Sequence, residues 1–492
     1  MPYSPSSVER SSRQRSPRRR AALAATAALL LLGAAAPPAP TAQGIGDRLF
    51  PHLGNPGFDI GSYDISLVYK AHDQPLEAVT KIVARATAPL DRFNLDFTHG
   101  TVRSIEVDGA PATFTPVEED LAVTPAHPVA DGDTFTVTVR HTSDPRGVPS
   151  GGWVPTTDGL VMANQADAAH RIFPGNDHPS DKALFTFHVT APKDLTVVAN
   201  GLPLGRRSKG AATTWTYRTL HPMATELAQI SIGRSATPRR TGPHGLPVRD
   251  VVPAADGKLL EKWTSRTPGH LTWMESKVGP FPFENYGVLI ADASTGFELE
   301  TQTLSLFERG LFTDPRFPQW YVDSIMVHEL SHQWFGDCVS PRSWSDLWLN
   351  EAHATWYEAL YADEKSNHRL ADRMRAAYAL SDRWRADGGP PAAPKGAAPG
   401  KKASIFRPVV YDGGALVLYA LRERIGHQAF DRLERQWVAR HHDATASTAD
   451  FVALASEVSG HDQTDFLRPW LYGEKTPPMP GHPDWKASGK PA

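Results

Sequence analysis

The chain has 492 residues, with 51 Lys plus Arg against 54 Asp plus Glu and a formal net charge of −3. That length accommodates two or three domains. A near-zero charge, with no basic stripe interleaved with aromatics, excludes a nucleic-acid surface. The single cysteine, Cys338, excludes an intrachain disulfide and reads as a small buried hydrophobe.

In chain order, the first segment is a leader. Residues 1–20 carry Arg10, Arg13, Arg15, Arg18, Arg19 and Arg20 against one acid, Glu9, and Ala21–Ala36 is almost entirely Ala and Leu. A basic region, a short apolar core and small residues after it predict a signal peptide over residues 1–42, cleaved after Ala36 or after Ala42. The route is general secretory or twin-arginine, and the expected destination is extracellular. The apolar run falls short of the about 20 residues a membrane span needs, so no stable span is expected once the leader is removed.

From 44 to 253 the pattern is β. Tyr63–Tyr69, Thr134–Val139 and Leu184–Val189 alternate apolar and polar residues, and such runs predict an antiparallel sandwich or an open saddle. From 254 to 474 the period turns helical. One helix is expected over Leu259–Val278, then two carrying residues 328–332 and Glu351, and others from Gly414, about Gln428 and about Thr448, with a strand pair near Tyr286–Ala291 and Phe297–Thr303. The class is therefore α+β and multidomain. Asp387–Lys402, rich in Gly, Pro, Ala and Lys, reads as a mobile loop beside Tyr411. The Pro-rich stretch 475–492 reads as a disordered tail.

The most informative stretch is His328-Glu329-Leu330-Ser331-His332. Histidines at i and i+4 share one face of a helix, so both rings can reach one ion. Eighteen residues separate His332 from Glu351, which lies in the apolar context Trp348-Leu349-Asn350-Glu351. Eighteen residues are enough to end one helix, turn, and start another running back past the first. Two neutral imidazoles and a carboxylate are what zinc accepts in a catalytic site that keeps a position for water. Glu329 is not needed as a ligand and suits the role of general base. The helix is apolar around the motif, at Val322, Ile325, Met326, Leu330 and Phe335, which separates it from an accidental match on a solvated helix. One zinc per chain is expected.

Residues 328–337, HELSHQWFGD, and 348–352, WLNEA, resemble the HELAHQWFGN and WLNEG signature of the M1 zinc aminopeptidases, gluzincins with a third glutamate ligand. Val410–Ala415 resembles that family's Y-[ED]-x-G-A segment, and Phe173–Pro179 its FPCxDxP stretch. The resemblance extends from about Gly44 to about Gly473. It implies His328, His332 and Glu351 as zinc ligands, Glu329 as general base, and Tyr411 as hydrogen-bond donor to the oxyanion. Taken without the resemblance, Tyr411 reads rather as a buried tyrosine at a helix start. The family's GxMEN glutamate, which holds the substrate's α-ammonium, falls on Glu300 within Gly296–Gln302. The match is degenerate there, and Glu298 competes. The family's Q-x-E segment is matched loosely by Gln165-Ala166-Asp167, where Asp167 is one methylene short.

Where the family has Asn-Glu-Gly-Phe, this chain has Asn350-Glu351-Ala352-His353. His353 points roughly 200° around the helix from Glu351 and reads as a supporting or surface residue, not a ligand. Asp346 and Glu358 are the candidates to orient a zinc histidine. The chain ends soon after the catalytic helices, where many relatives continue into a helical C-terminal domain. A short form with an open cleft is therefore expected. The implied function is a secreted zinc aminopeptidase acting on peptides. The alternatives are a thermolysin-type endopeptidase, which needs no ammonium clamp, and an inactive peptidase-like binding protein. Oligomeric state and the preferred N-terminal residue have no signal in the sequence.

Overall fold

A computed structural model describes residues 41–147, 151–397 and 404–487. Nearly all of the predicted leader, and part of the predicted loop before Tyr411, lie outside the described residues.

The N-terminal half is a large β structure. In a ten-stranded sheet, the central strand Phe58–Val68 pairs antiparallel with Leu76–Ala86 and parallel with Leu184–Pro192. A four-stranded sheet of Gly152–Pro155, Leu160–Ala163, Thr196–Ala199 and Ile230–Gly233 accompanies it. The alternation read in the sequence is the burial pattern. Phe58 and Ile60 point inward, the register shifts between Ile60 and Ser62, and Tyr63, Ile65 and Leu67 then take the inward face. Tyr63 stacks on Phe185 of the neighbouring strand at 4.7 Å.

The second half carries ten helices among the described residues: α1 Gly257–Thr264, α2 Thr267–Val278, α3 Arg309–Thr313, α4 Gln319–Ser331, α5 Trp348–Ser366, α6 Leu370–Gly388, α7 Asp412–Ile425, α8 His427–Arg440, α9 Thr448–Ser459 and α10 Thr464–Tyr472. The single helix expected over Leu259–Val278 is broken. Pro268 sits in the first turn of α2, where its missing N–H cannot bond the carbonyl of Thr264 and its ring crowds that carbonyl, so the chain restarts the helix there.

The expected strand pair also differs. Val288–Ala291 pairs in parallel with Ser305–Glu308, while Phe297–Thr303 is irregular, touching a strand only where Leu299 bridges Leu306. The reason is a long-range tie. Gln333, just past α4, donates to the Glu300 carbonyl (3.0 Å) and accepts from the Thr303 N–H (2.8 Å), and Thr303 turns with φ 66°. These two short strands join the two hydrophobic cores. Leu289 and Leu306 pack into the β core, and Ile290 and Phe307, on the opposite faces, pack into the helical core.

Residues 475–487 are not a loose tail. Met479 and Trp485 are buried, Trp485 stacks on Tyr419 of α7 at 5.8 Å, and Tyr378 of α6 donates to the Pro477 carbonyl at 2.9 Å. Proline content misled the sequence reading: prolines preset an extended strap, and its aromatic and Met side chains supply the apolar area that docks it. Among the described residues no helix is long and apolar enough to cross a membrane.

Candidate active site

The site begins with α4. Its hydrogen bonding ends at Ser331, but His332 keeps helical dihedrals (φ −58°, ψ −26°), so the i, i+4 geometry of His328 and His332 survives the helix end. Val322, Met326 and Leu330 are buried in the helical core and hold the helix in place. α5 packs against α4 and brings Glu351 opposite the two rings. α7 then packs on α5 at close range: a Cβ on Gly414 would lie 2.7 Å from that of Ala352, so only glycine lets the helix start there. That approach sets Tyr411, directly before α7, over His328, with ring centroids 6.1 Å apart and 21° between planes.

Nε2 of His328 and Nε2 of His332 each lie 3.5 Å from Oε2 of Glu351. Zinc held tetrahedrally with bonds of about 2.0–2.1 Å places its ligand atoms about 3.3 Å apart, so the three atoms fit one ion with little adjustment. Oε2 of Glu351 is buried without a hydrogen-bond partner, a costly arrangement for a carboxylate that a metal would relieve. The surroundings also hold positive charge. Burial alone would lower the pKa of His328, yet Glu351 and Glu358 raise it to about 9.

The ring nitrogens facing away from the ion are both occupied. Nδ1 of His328 lies 3.0 Å from Glu358, and Nδ1 of His332 lies 3.2 Å from the Phe335 carbonyl. Glu358 accepts from Arg373 at 2.6 Å, and Arg373 donates in turn to Asp412 at 2.9 Å, next to Tyr411. This bracing chain had no signal in the sequence beyond Glu358. Asp346, the other candidate, serves elsewhere and accepts from the N–H and hydroxyl of Thr448.

Glu329 lines the cleft with Oε2 buried and unpartnered. Burial pushes its carboxyl well above the ordinary range; His332 pulls it down, and Glu300, Glu298 and Glu351 push it further up. The Tyr411 phenol is likewise held far above its ordinary value, by burial first and then by Glu351, Glu300 and Glu329, so it stays a proton-bearing donor.

One end of the cleft is anionic. The cleft has a volume of about 850 Å³, and Gln165, Glu298 and Glu300 line it together with the histidines, Glu329, Glu351 and Tyr411. Nε2 of Gln165 donates to Oε1 of Glu300 at 2.6 Å. Glu300 also offers an oxygen within 4.8 Å of atoms on Glu329 and His332. Glu298 lies in the cleft wall under a different influence: burial first and the neighbouring Glu308 second raise its pKa to about 7. Asp167 is absent from the lining and stands 3.7 Å from the guanidinium of Arg171. A residue the motifs did not flag, Glu226, lies behind Gln165 and Glu300. It is buried with Oε2 unpartnered, and burial and the Glu300 charge push its carboxyl well up.

His353 is not at the surface. It is fully buried against Phe335 (ring centroids 4.3 Å), with Nδ1 2.5 Å from the Leu349 carbonyl and Nε2 3.3 Å from Glu434. The helical wheel placed it correctly away from the ion, and α8 supplies the cover the wheel could not foresee. Cys338 is fully buried, with its thiol pushed up to about 11 by burial.

Residues 266–470 match the Peptidase family M1 domain. The chain is 26% identical over 322 residues to glutamyl aminopeptidase of Homo sapiens, across 61% of this chain and 33% of that protein. It is 22% identical over 350 residues to leucyl aminopeptidase of Saccharolobus solfataricus, across 66% of this chain and 42% of that protein. It therefore spans about a third of the length of the first of these relatives. Over 89% of this chain and 99% of the other, the fold matches the M1 zinc metallopeptidase from Deinococcus radiodurans, with a TM-score of 0.74 and 28% identity. A variant of that enzyme bound to a Tyr-Ser-Ala substrate matches with a TM-score of 0.73 and 27% identity, over 90% of this chain and all of the other. Zinc is the cofactor these neighbours imply, and the donor set formed by His328, His332 and Glu351 accepts it. With the His-His-Glu centre inside the matched segment and the fold of both halves shared with M1 zinc metallopeptidases, residues 266–470 form a peptidase family M1 domain.

Proposed function

We propose that the chain is a zinc-dependent aminopeptidase that hydrolyses the N-terminal peptide bond of peptides. The observation that carries the reading is the buried Glu300 carboxylate, oriented by Gln165, in the same cleft as the His328–His332–Glu351 triad. A carboxylate fixed there gives a free α-ammonium a charge-assisted partner one residue away from the reacting carbonyl. Glu298 lines the same cleft but is not grouped with Glu329 and His332 as Glu300 is, and it is the weaker claimant.

His328, His332 and Glu351 would hold zinc, which when bound supplies a Lewis acid that acidifies water and polarises a carbonyl. Glu329, with a free buried oxygen and an upward-shifted carboxyl, takes the proton of the attacking water at Oε2 and hands it to the departing amine. Tyr411 donates its phenolic proton toward the oxygen on which charge develops. Arg373, through Glu358 and Asp412, holds His328 and the segment carrying Tyr411 in position.

Hydrolysis of a panel of free aminoacyl reporter amides, with and without chelator and beside their N-acetylated counterparts, tests this. The reading expects turnover of free substrates alone, lost on chelation. Equal cleavage of acetylated substrates would favour a thermolysin-type endopeptidase, and no turnover at all would favour a binding protein. Export is part of the proposal and rests on the Arg-rich, Ala/Leu-rich leader. Expression of the full chain with fractionation of cells and medium tests it, with processing after Ala36 or Ala42 expected in the exported form.

A further inference from the structure

Away from the cleft, two imidazoles from distant parts of the chain meet at one carboxylate oxygen. Nδ1 of His221 lies 2.8 Å, and Nδ1 of His442 3.3 Å, from Oδ2 of Asp443. All three residues offer donor atoms within 4.8 Å of one another. His221 follows the strand Ala212–Arg218 of the β half, and its ring packs edge-on against Phe283 at 5.6 Å. His442 and Asp443 form the loop after α8, which continues into Thr445–Ala446. That pair of residues is hydrogen-bonded in parallel to Ser340–Pro341, a few residues past the zinc helix.

We propose that His221, His442 and Asp443 form a second metal site, for a borderline divalent cation of the zinc class, that clips the β half to the loop backing the exit of α4. Two imidazoles and one carboxylate suit zinc, nickel or copper over calcium or magnesium, and three protein ligands leave a position for water. Two further observations favour a cation. Oδ1 of Asp443 and Oε2 of the neighbouring Glu284 are both shielded from solvent and make no hydrogen bond within the protein. Asp443 also holds a left-handed backbone (φ 61°), a conformation uncommon outside glycine and the short polar residues, which sets its carboxylate between the two rings. The neighbouring cation, Lys182, does not neutralise the group directly: its ammonium donates to the carbonyls of Asp337 and Cys338 at 2.7 and 2.9 Å. Unlike the buried triad in the cleft, these side chains are a quarter to two-fifths exposed, so they can rotate to close on an ion and exchange it freely.

The test is zinc stoichiometry of the folded chain, read by metal analysis after equilibration with a buffered excess of free zinc and removal of unbound ion. About two zinc ions per chain are expected for the wild type and about one for His221→Ala and for His442→Ala. Both variants should hydrolyse a free aminoacyl amide as the wild type does. His427→Ala, which removes another exposed histidine, should keep both ions. Glu351→Ala should lose the ion in the cleft and keep the peripheral one, which separates failure of this inference from failure of the proposed function. Zinc should raise the melting temperature of the chain already loaded in the cleft, and not that of His442→Ala. One zinc in the wild type, two in His442→Ala, or equal loss in His427→Ala would each overturn the site.

Discussion

The side-chain amide of Gln165 reaches across 135 residues of sequence to donate to Glu300 at 2.6 Å, joining the β half of the chain to the segment that crosses in front of the zinc helix. The contact orients one carboxylate oxygen, and in the proposed function the other would take the substrate's ammonium. Glu300→Gln removes the charge and keeps the shape. A hydrogen bond to a charged group contributes about 2 kcal/mol, so kcat/KM for free-amine substrates should fall roughly 30-fold or more. Glu298→Gln should cost less, and Gln165→Ala should fall between them. Steady-state kinetics on one dipeptide amide ranks the three. If Glu298→Gln proves the most damaging, Glu298 and not Glu300 holds the ammonium.

The His328–Glu358–Arg373 chain predicts a metal phenotype from a residue that never touches the ion. Losing the partner of a ligating imidazole typically weakens metal affinity about 10- to 100-fold. Competition for zinc against a chromophoric chelator should place Glu358→Gln in that range. Asp346→Asn should leave zinc affinity unchanged and lower the melting temperature, because its contacts are to Thr448.

Tyr411→Phe deletes one hydroxyl from a ring stacked near His328. A donor that acts on developing charge affects the transition state more than the ground state. The turnover number should fall about 10²- to 10³-fold while KM changes little. A change confined to KM would remove Tyr411 from the chemistry.

How much of this was legible depended on how local the cause was. The convergence of His328, His332 and Glu351 could be read because a helical period and the apolar start of α5 fix them within 24 consecutive residues. The irregular course of Phe297–Thr303 could not, because Gln333 imposes it from the far side of the fold. His353 was placed on the correct side of α5, but what lies there, Glu434 of α8, belongs to a helix about 80 residues on. Glu226 is a lone carboxyl in an apolar run, and nothing local distinguishes it from a solvated charge. The strap at 475–487 was misread because composition reports what a chain tends to do alone, whereas Met479 and Trp485 respond to a surface that α6 and α7 provide.

Asp47 predicts a pH-dependent stability. Burial pushes its carboxyl up, but hydrogen bonds from the His178 ring and from the N–H groups of Trp344, Phe50 and Leu49 outweigh it and hold the pKa at about 2. A folded value below the unfolded 3.8 means the ionised form stabilises the fold above about pH 4, and that this contribution is lost as pH falls toward 2. Asp47→Asn should therefore lower the urea midpoint at pH 7. Its deficit against the wild type should shrink steadily below pH 4. A deficit independent of pH would place the effect in packing alone.

The central claim is that this cleft reads a free N-terminus and removes one residue at a time. Mass spectrometry of an unlabelled oligopeptide incubated with the zinc-loaded chain tests it most directly, with the N-acetylated peptide and the Glu329→Gln variant alongside. The account predicts a ladder of products shortened singly from the N-terminus, no cleavage of the acetylated peptide, and no products from Glu329→Gln although that variant retains its zinc. Internal fragments, or equal processing of the acetylated peptide, would contradict it.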